Sequence, residues 1–368
     1  MDLSDLDYEL PEAAIAQHPI EPRDRARLLV DCGPGHPVAH RIVADLPALV
    51  RPGDLLVVNT TRVLPARLRL RKATGGAVEV LLLERTGPGV WEALVRPGRR
   101  LPPGTELEAG DDLVVNIGEP LGEDGRRLVR LHVVPHPGAA GTETVVEPGL
   151  DEELAALGRH GAVPLPPYIR EPLADPERYQ TVYADRPDSV AAPTAGLHLT
   201  PAVLAGCRAA GARIEPVELA VGLGTFKPMT AHKVEDHRMH SERYRVPAST
   251  LAACGETREA GARVIVVGTT TVRALESAAL TGELEGRTEL FIHRPWRWRA
   301  VDVLMTNFHL PRSSLLALID AFIGSRWRRL YDEALRGGYR FLSFGDAMLL
   351  TRADDADDAK DDDAGEHA

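Results

Sequence analysis

The chain has 368 residues, of which 44% are hydrophobic and 26% charged, and its formal net charge is −11. These fractions are typical of a globular protein and exclude a collagen, a coiled coil and a wholly disordered chain. The length predicts two domains, or one large domain that carries an insertion.

The negative charge is concentrated at the carboxyl terminus, where the last sixteen residues hold seven Asp, one Glu and one Lys. We expect this segment, 353–368, to be a disordered tail. The rest of the chain carries only −4, so the net charge does not exclude a nucleic-acid partner. No apolar stretch reaches the roughly 20 residues of a membrane span, and the first residues do not resemble a signal peptide. We therefore expect a cytoplasmic protein with no membrane partner.

The first third of the chain predicts short elements. A strand is expected over 27–31, a short helix over 42–50 and a buried strand over 54–58. From about residue 66 to 150, apolar and polar residues alternate between Gly and Pro turns, which is typical of a β-barrel or sandwich. We therefore expect an inserted all-β barrel domain over 66–150.

From residue 151 to 352, predicted strands and helices alternate. Helices are expected over 200–210, 250–260 and 315–323, the last with Ser313 or Ser314 as N-cap, and strands over 213–219 and 263–267. This alternation predicts an α/β domain with a mostly parallel sheet, formed by 1–65 together with 151–352. Ligands of such sheets bind beyond the carboxyl ends of the strands.

Three loops beyond predicted strands carry polar residues. The turn Gly268-Thr269-Thr270-Thr271, with Arg273 nearby, forms either an anion-binding helix start or an ordinary helix cap. The loops 191–199 and 221–228 contain glycines that permit close approach of a ligand, and the alternative for either loop is a structural turn. The polar and glycine positions of these two loops are Thr194, Gly196, His198, Gly222, Gly224, Thr225 and Lys227.

Histidines and carboxylates supply candidate proton carriers. Residues 235–242 contain Asp236, His237, His240 and Glu242, and the spacing of the two histidines would place them on one helix face. The alternative is a solvated surface turn. Because no metal-binding spacing is present, we expect no metal site. His309 follows Asn307 in a loop before an apolar helix, and it is either a structural residue or a base.

Basic and aromatic residues cluster in two places. One cluster contains Arg294, Arg297 and Arg299 with two tryptophans, and the other contains Arg326, Arg328 and Arg329 around a third. Arginine with indole can contact phosphates and stack on bases, although such neighbours also occur on ordinary surfaces.

Ten segments in order resemble the S-adenosylmethionine:tRNA ribosyltransferase-isomerase family of queuosine biosynthesis. The segments are YELPEAAIAQHP at 8–19, GDLLVVNTTRVLPARL at 53–68, VPLPPYI at 163–169, YQTVYA at 179–184, AAPTAGLH at 191–198, VGLGTFKP at 221–228, EDHRMHSE at 235–242, VVGTTTVRALES at 266–277, TNFHLPRSSL at 306–315 and YRFLSFGDAML at 339–349. One departure is the stretch 291–298, which replaces the family's usual Tyr-Pro-Gly-aromatic turn.

The resemblance implies an α/β domain interrupted by a β-barrel domain. It implies that S-adenosylmethionine, as co-substrate, donates its ribosyl group to 7-aminomethyl-7-deazaguanine (preQ1) at the tRNA wobble position. The products are epoxyqueuosine in tRNA, adenine and methionine. Two alternatives stay open, namely ribosyl transfer to another 7-deazapurine and a non-catalytic RNA-binding module. We expect a monomer.

The resemblance and the loops together give three groups of expected site residues. Expected proton carriers and their orienting partners are His198, His237, His240, His309, Asp236, Glu242 and Asp346. Expected substrate-binding residues are Thr194, Gly196, Gly222, Gly224, Thr225, Phe226, Thr269, Thr270, Thr271, Arg273, Asn307 and Phe308. Expected tRNA-binding residues are Arg294, Arg297, Arg299, Arg326, Arg328 and Arg329.

Overall fold

The computed structural model describes residues 1–98, 101–122, 125–133, 149–222 and 228–353. The chain divides into two compact units. The first comprises Met1–Arg62, Pro166–Arg186 and Ala192–Ala368, and the second comprises Val63–Leu165 and Pro187–Ala191. The expected acidic tail, apart from Ala353, lies outside the described residues.

Strands and helices are numbered in chain order. The strands are β1 (Arg27–Asp31), β2 (Ala39–Ile42), β3 (Leu55–Asn59), β4 (Thr61–Val63), β5 (Arg67–Arg71), β6 (Ala77–Gly87), β7 (Val90–Arg96), β8 (Thr105–Ala109), β9 (Leu113–Pro120), β10 (Arg126–Val133), β11 (Gly161–Ala162), β12 (Arg186–Ser189), β13 (Arg213–Leu219), β14 (Glu242–Arg245), β15 (Val264–Val267), β16 (Glu285–Thr288), β17 (Val303–Asn307) and β18 (Ala347–Thr351). The helices are α1 (Leu46–Leu49), α2 (Leu150–His160), α3 (Pro201–Ala209), α4 (Ala248–Glu259), α5 (Thr269–Thr281), α6 (Ser314–Ile323) and α7 (Arg326–Arg336).

The first unit is built on a nine-stranded sheet of order β16-β14-β13-β3-β15-β17-β18-β1-β2. The neighbours β13, β3, β15 and β17 are all parallel, and so are β18 and β1. The other four pairings are antiparallel. The expectation of a mostly parallel sheet is therefore wrong. The sheet is mixed, because β2, β14 and β16 add to its edges by antiparallel pairing and β18 enters the centre antiparallel to β17.

Helices cover both faces of this sheet. Alternate residues of the central strands point into one core with α1 and α3, among them Leu56 and Val58 of β3 and Ile265 and Val267 of β15. Helices α4, α5 and α6 contact the strands but contribute nothing to that core, so they cover the opposite face. This two-sided burial explains why β3, β15 and β17 are apolar along nearly their whole length.

Side-chain caps mark the starts of two of the four predicted helices. The Thr200 side chain accepts a hydrogen bond from the Val203 N–H at the start of α3. The Ser313 hydroxyl caps α6 by accepting from the Leu316 N–H at 3.2 Å. The predicted helix over 42–50 is wrong in extent: Ile42 ends β2, a 3₁₀ turn follows, and α1 spans four residues.

The second unit contains a seven-stranded antiparallel sheet of order β11-β5-β6-β7-β10-β9-β8. Strands β5 and β8 lie close together without pairing, so the sheet curls back on itself. No ladder among the described residues closes the ring. The expected barrel is thus a half-barrel, with α2 packed against β10 and β11. Within the part of the chain that the structure describes, no helix has the length and apolarity needed to span a bilayer.

Candidate active site

The main pocket of the first unit lies where the parallel strands β13, β15 and β17 end. It encloses about 590 Å³, part of it open to solvent. Parallel strands present their carboxyl ends at one edge of a sheet, which is where ligands of such sheets usually bind. The lining residues are Tyr168, Ala192, Pro193, Thr194, Ala195, Val221, Gly268, Thr269, Thr270, Thr306, Asn307, Phe308, His309, Leu310, Ser313, Leu315, Leu342 and Ser343. The structure therefore brings together predicted residues from three separate loops.

The amino terminus of α5 forms one wall of the pocket. Gly268 precedes the helix with φ of 91°, in the left-handed region that favours glycine, and its N–H donates to Met305 O at 2.8 Å. Thr269 and Thr270 then line the pocket at the positive end of the helix dipole. The Thr271 hydroxyl instead donates to Val267 O at 2.6 Å, so Thr271 has a structural role.

Asn307, at the end of β17, connects the pocket to the buried His198. Its Nδ2 lies 3.3 Å from Asp346 O and 2.9 Å from His198 Nε2. The Asp346 carbonyl can only accept, so the amide nitrogen must face it, and the same nitrogen then donates to His198 Nε2. Asn307 Oδ1 accepts from the Thr194 hydroxyl at 3.0 Å, which completes the amide's hydrogen bonds.

His198 is therefore neutral and carries its proton on Nδ1. Burial and the positive charges of nearby arginines lower the pKa of this imidazole to about 3. His198 is absent from the pocket lining, and its Nε2 lone pair is occupied by Asn307. Its place in the structure is thus that of a support for Asn307 rather than a group facing the pocket.

His309 is the only histidine that lines the pocket among the described residues. Its Nε2 lies 3.1 Å from the Thr306 hydroxyl, and its backbone N–H donates to the Tyr331 hydroxyl at 3.1 Å. The Tyr8 hydroxyl donates to His309 O at 2.5 Å. Burial lowers the pKa of His309 to about 3, so the ring is neutral at neutral pH. The backbone of this residue is held from two sides.

Sequence reasoning missed three polar residues of the site. The Tyr168 hydroxyl shares a 2.7 Å hydrogen bond with the Ser343 hydroxyl, and both residues line the pocket. Asn59, at the end of β3, is buried and its Nδ2 lies 3.4 Å from the Thr270 hydroxyl. All three belong to segments that carry the family resemblance, so a search of those segments for buried polar residues would have found them.

Gly196 lies within the 3₁₀ turn Thr194–His198, behind the pocket. A Cβ at this position would lie 2.0 Å from the Tyr183 hydroxyl and 3.0 Å from Thr181 Cγ2. The residue is therefore required for close packing of this turn.

Glu242 and Arg273 form a buried ion pair away from the pocket lining. The Arg273 guanidinium contacts the Glu242 carboxylate and donates to Leu290 O at 3.0 Å. Glu242 Oε1 accepts the Gly222 N–H at 2.8 Å, next to pocket residue Val221. The predicted anion site of Arg273 with the 268–271 turn is thus divided: the threonines face the pocket, while Arg273 is paired with a carboxylate.

The prediction that His237 and His240 share a helix face is wrong. A 3₁₀ turn ends at Asp236, and His237 has an extended backbone, with φ of −72° and ψ of 134°. The His237 ring packs on Phe291 at 5.2 Å between centroids. Its pKa is lowered, mainly by desolvation and to a smaller extent by the charge of His240. Asp236 and His240 are exposed, and none of these three residues lines the pocket.

Asp346 and Phe308 are held by the surrounding structure. The buried Asp346 carboxylate accepts the backbone N–H groups of Arg27 at 2.9 Å and Arg340 at 2.8 Å. It acts on Asn307 through its carbonyl, as described above. The fully buried Phe308 ring stacks on Phe341 at 4.6 Å between centroids. This ring is therefore already stacked within the core.

The two basic and aromatic segments meet at one buried carboxylate on α6. Asp320 pairs with Arg294 and also accepts from the Trp327 indole at 3.0 Å. Arg326 is likewise occupied, by Asp31 at 3.2 Å and Thr351 O at 2.9 Å. Arg294 and Arg326 thus make internal ion pairs. Of the other four arginines, Arg297, Arg328 and Arg329 are exposed and Arg299 is partly exposed.

Three of the expected substrate-binding residues, Gly224, Thr225 and Phe226, and also Lys227, lie outside the described residues. Among those described, no group of three or more His, Cys, Asp or Glu side chains is arranged to hold a metal ion.

The sequence was also compared with known families. Residues 3–350 match the family model described as queuosine biosynthesis protein. This chain belongs to the queuosine biosynthesis protein family. The match spans all of the segments on which the resemblance was based and confirms it.

Relatives and a solved structure extend the match to nearly full length. A Rubrobacter xylanophilus protein named S-adenosylmethionine:tRNA ribosyltransferase-isomerase is 51% identical over 95% of this chain and 98% of its own. The Thermotoga maritima protein of the same name is 47% identical over 95% of this chain and 100% of its own. The crystal structure of S-adenosylmethionine tRNA ribosyltransferase from Thermotoga maritima has 36% identity and a TM-score of 0.52. That alignment covers 94% of this chain and 99% of that one.

Proposed function

We propose that this member of the queuosine biosynthesis family transfers and isomerises the ribosyl group of S-adenosylmethionine onto preQ1 at the wobble position of tRNA. Epoxyqueuosine-tRNA, adenine and methionine are the products. Support comes from the family match over 3–350 and from the two relatives of the same name at about half identity. The observation that carries the proposal in the structure is the pocket at the carboxyl ends of β13, β15 and β17, which contains Asn307 and His309.

The pocket has the lining of a small-molecule site. It combines apolar residues with a few polar groups such as Asn307 and His309. The first N–H groups of α5 have no acceptor within the helix and face the pocket with a positive dipole. We assign the methionine carboxylate of S-adenosylmethionine to this helix start, because Arg273 is already paired with Glu242.

His309 is our candidate for the base that begins the reaction. The sulfonium of S-adenosylmethionine acidifies the adjacent C5′ protons, and removal of one starts loss of adenine and rearrangement of the ribose. A neutral imidazole can accept that proton, and burial keeps the His309 ring neutral at neutral pH. The same burial weakens it as a base, so this role requires that substrate binding raise its pKa. Thr306 and Tyr331 orient the residue. His198 acts through Asn307 as a positioning residue.

We also propose that the enzyme is cytoplasmic, since its proposed tRNA substrate is found there, and that it is a monomer, as expected from the sequence. The sequence places the α/β domain at 1–65 and 151–352, the inserted β-domain at 66–150 and the acidic tail beyond, whereas the compact β-rich unit of the structure also takes in 63–65, 151–165 and 187–191. Size-exclusion chromatography with light scattering tests the monomer, and a mass of twice 39.9 kDa would contradict it.

The reaction is tested by incubating the protein with S-adenosylmethionine and tRNA that carries preQ1, followed by mass spectrometry of nucleosides and small molecules. We expect epoxyqueuosine with equal amounts of adenine and methionine. The same tRNA with guanine at the wobble position is the control and should give no product. Intact S-adenosylmethionine with folded protein would contradict the proposal.

The role of His309 is tested in single turnovers with His309→Gln. We expect a rate about 10²- to 10⁴-fold lower, the usual contribution of a general base. The matched control is His36→Gln, because His36 is exposed in a loop after β1 and does not line the pocket. A wild-type rate for folded His309→Gln would assign the proton transfer to another group.

A further inference from the structure

A second, smaller cavity lies behind the main pocket in the same unit. It is lined by Pro19, Ile20, Arg23, Arg178, Leu197, His198, Ser343 and Phe344, and it encloses about 230 Å³. The 3₁₀ turn Thr194–His198 separates the two, with Thr194 in the main pocket and His198 in the smaller cavity. The two cavities share Ser343 in their linings, so they are adjacent.

Three arginines give this cavity its charge. Arg23 and Arg178 line it, and the positive charge of Arg340 acts on His198 beside it. Each guanidinium is held by a backbone carbonyl: Arg23 donates to Gln180 O at 2.9 Å, Arg178 to Ile20 O at 2.8 Å and Arg340 to His18 O at 3.1 Å. Carbonyl acceptors orient a guanidinium but leave its net charge in place.

Three carboxylates lie nearby, and all three are exposed, so water screens their charge. Glu21, which is exposed, pairs with Arg178, and the exposed Asp175 and Glu177 also act on Arg23. The Nη2 of Arg340 is buried and has no hydrogen-bond partner. Burial and the charge of Arg178 lower the pKa of Arg23, so the cluster is strained by its own repulsion. A bound anion would relieve that repulsion.

We propose that Arg23, Arg178 and Arg340 bind a backbone phosphate of the tRNA while the modified base occupies the main pocket. This proposal rests on the proposed function and adds to it a phosphate site that fixes where the acceptor nucleotide lies. A nucleobase reaches its phosphate through one sugar, so a base pocket needs its phosphate site close by, as the turn Thr194–His198 provides. Arginine forks match phosphate oxygens well.

The site also connects to the reaction centre. His198 lines the cavity on one side and holds Asn307 of the main pocket through its Nε2. A phosphate beside His198 would stabilise the Asn307 orientation that faces the substrate. The three arginines are therefore positioning residues for tRNA rather than catalytic ones.

The experiment measures tRNA binding against salt concentration for the wild type, Arg178→Gln and Arg340→Gln, with isothermal titration of S-adenosylmethionine on the same proteins. We expect the log–log salt slope of tRNA binding to fall by about one in each variant, with unchanged affinity for S-adenosylmethionine. Arg336→Gln is the matched control, because Arg336 is an exposed arginine of α7 that pairs only with Asp332 among the described residues. It should keep the wild-type slope.

Two outcomes overturn the proposal. Weakened S-adenosylmethionine binding with a wild-type tRNA slope would show that the arginine cluster binds the methionine carboxylate instead. Wild-type behaviour in both assays would show that the cluster binds neither substrate. Arg178→Lys keeps the charge if Arg178→Gln does not fold, and it should keep most of the slope.

Inorganic phosphate separates this proposal from the reaction itself. Phosphate should raise the melting temperature of the wild type and Arg336→Gln, but not that of Arg340→Gln, because a ligand that binds only the folded state stabilises it. This result is expected even if the protein fails to modify preQ1-tRNA. An equal rise for Arg340→Gln would contradict the anion site directly.

Discussion

Lowering the pH from 7 to 5 should destabilise the first unit through its two buried histidines. Burial holds the pKa of His198 and of His309 at about 3, whereas an imidazole in the unfolded chain titrates near 6.5. Below pH 6.5 these two histidines therefore bind protons in the unfolded chain but not in the folded protein. Because the folded pKa is the lower one, stability is lost as the pH falls through this window toward 3.

The size of the loss follows from the unfolded pKa. At pH 5 each unfolded histidine lies about 1.5 pH units below its pKa, and each unit corresponds to about 1.36 kcal/mol. Each residue thus accounts for about 2 kcal/mol, and the pair for about 4 kcal/mol. This estimate requires only that the pKa values of His198 and His309 in the folded protein lie well below 5.

The assay is urea unfolding followed by tryptophan fluorescence, since three of the four tryptophans lie in the first unit. In His309→Gln the loss between pH 7 and 5 should be about 2 kcal/mol smaller than in the wild type. Carboxylates and other groups contribute equally to both proteins and cancel in the comparison. His36→Gln, at an exposed position, is the control. The reasoning is refuted if His309→Gln loses as much stability as the wild type.

Four further predictions concern function. Asn307→Leu should slow single turnovers at least about tenfold without unfolding the protein, because His198 and Thr194 lose their shared partner; a wild-type rate by quenched flow would argue against a positioning role. Thr270→Val should weaken S-adenosylmethionine binding about tenfold by calorimetry, and unchanged affinity would remove this hydroxyl from the site. Arg297→Gln combined with Arg328→Gln should lower the salt slope of tRNA binding by up to about two, and an unchanged slope would place tRNA elsewhere. Deleting the residues after Arg352 should leave turnover intact or raise it, because the tail's net −7 repels phosphates; a large loss would show that the tail participates.

Local sequence patterns determined much of the secondary structure. The strands over 27–31 and 213–219 were predicted with the bounds that the structure shows, and Thr200 and Ser313 cap the helices that follow them. These features depend on neighbours within a few residues, namely apolar runs, Gly and Pro stops and a capping hydroxyl. The curled antiparallel sheet was also predictable in kind, because period-two alternation marks each of its strands.

Strand order was less accessible from the sequence. A buried strand is apolar whichever direction its neighbour runs, so nothing in 347–351 indicates that β18 lies antiparallel to β17. The same limit explains the error over His237 and His240, whose spacing fits a helix but whose backbone is extended at His237.

The family and its reaction could be inferred from the sequence alone, because ten segments in register carry the resemblance. Tertiary structure decided which of their side chains meet. Asn307 and His198 are 109 residues apart, and Tyr168 and Ser343 are 175 apart. Strand pairing sets such contacts through the order in which distant segments enter the sheet. For that reason the sequence identified His198 and Arg273 as polar residues of important loops, and only the packed fold showed that one supports an amide and the other neutralises a buried carboxylate.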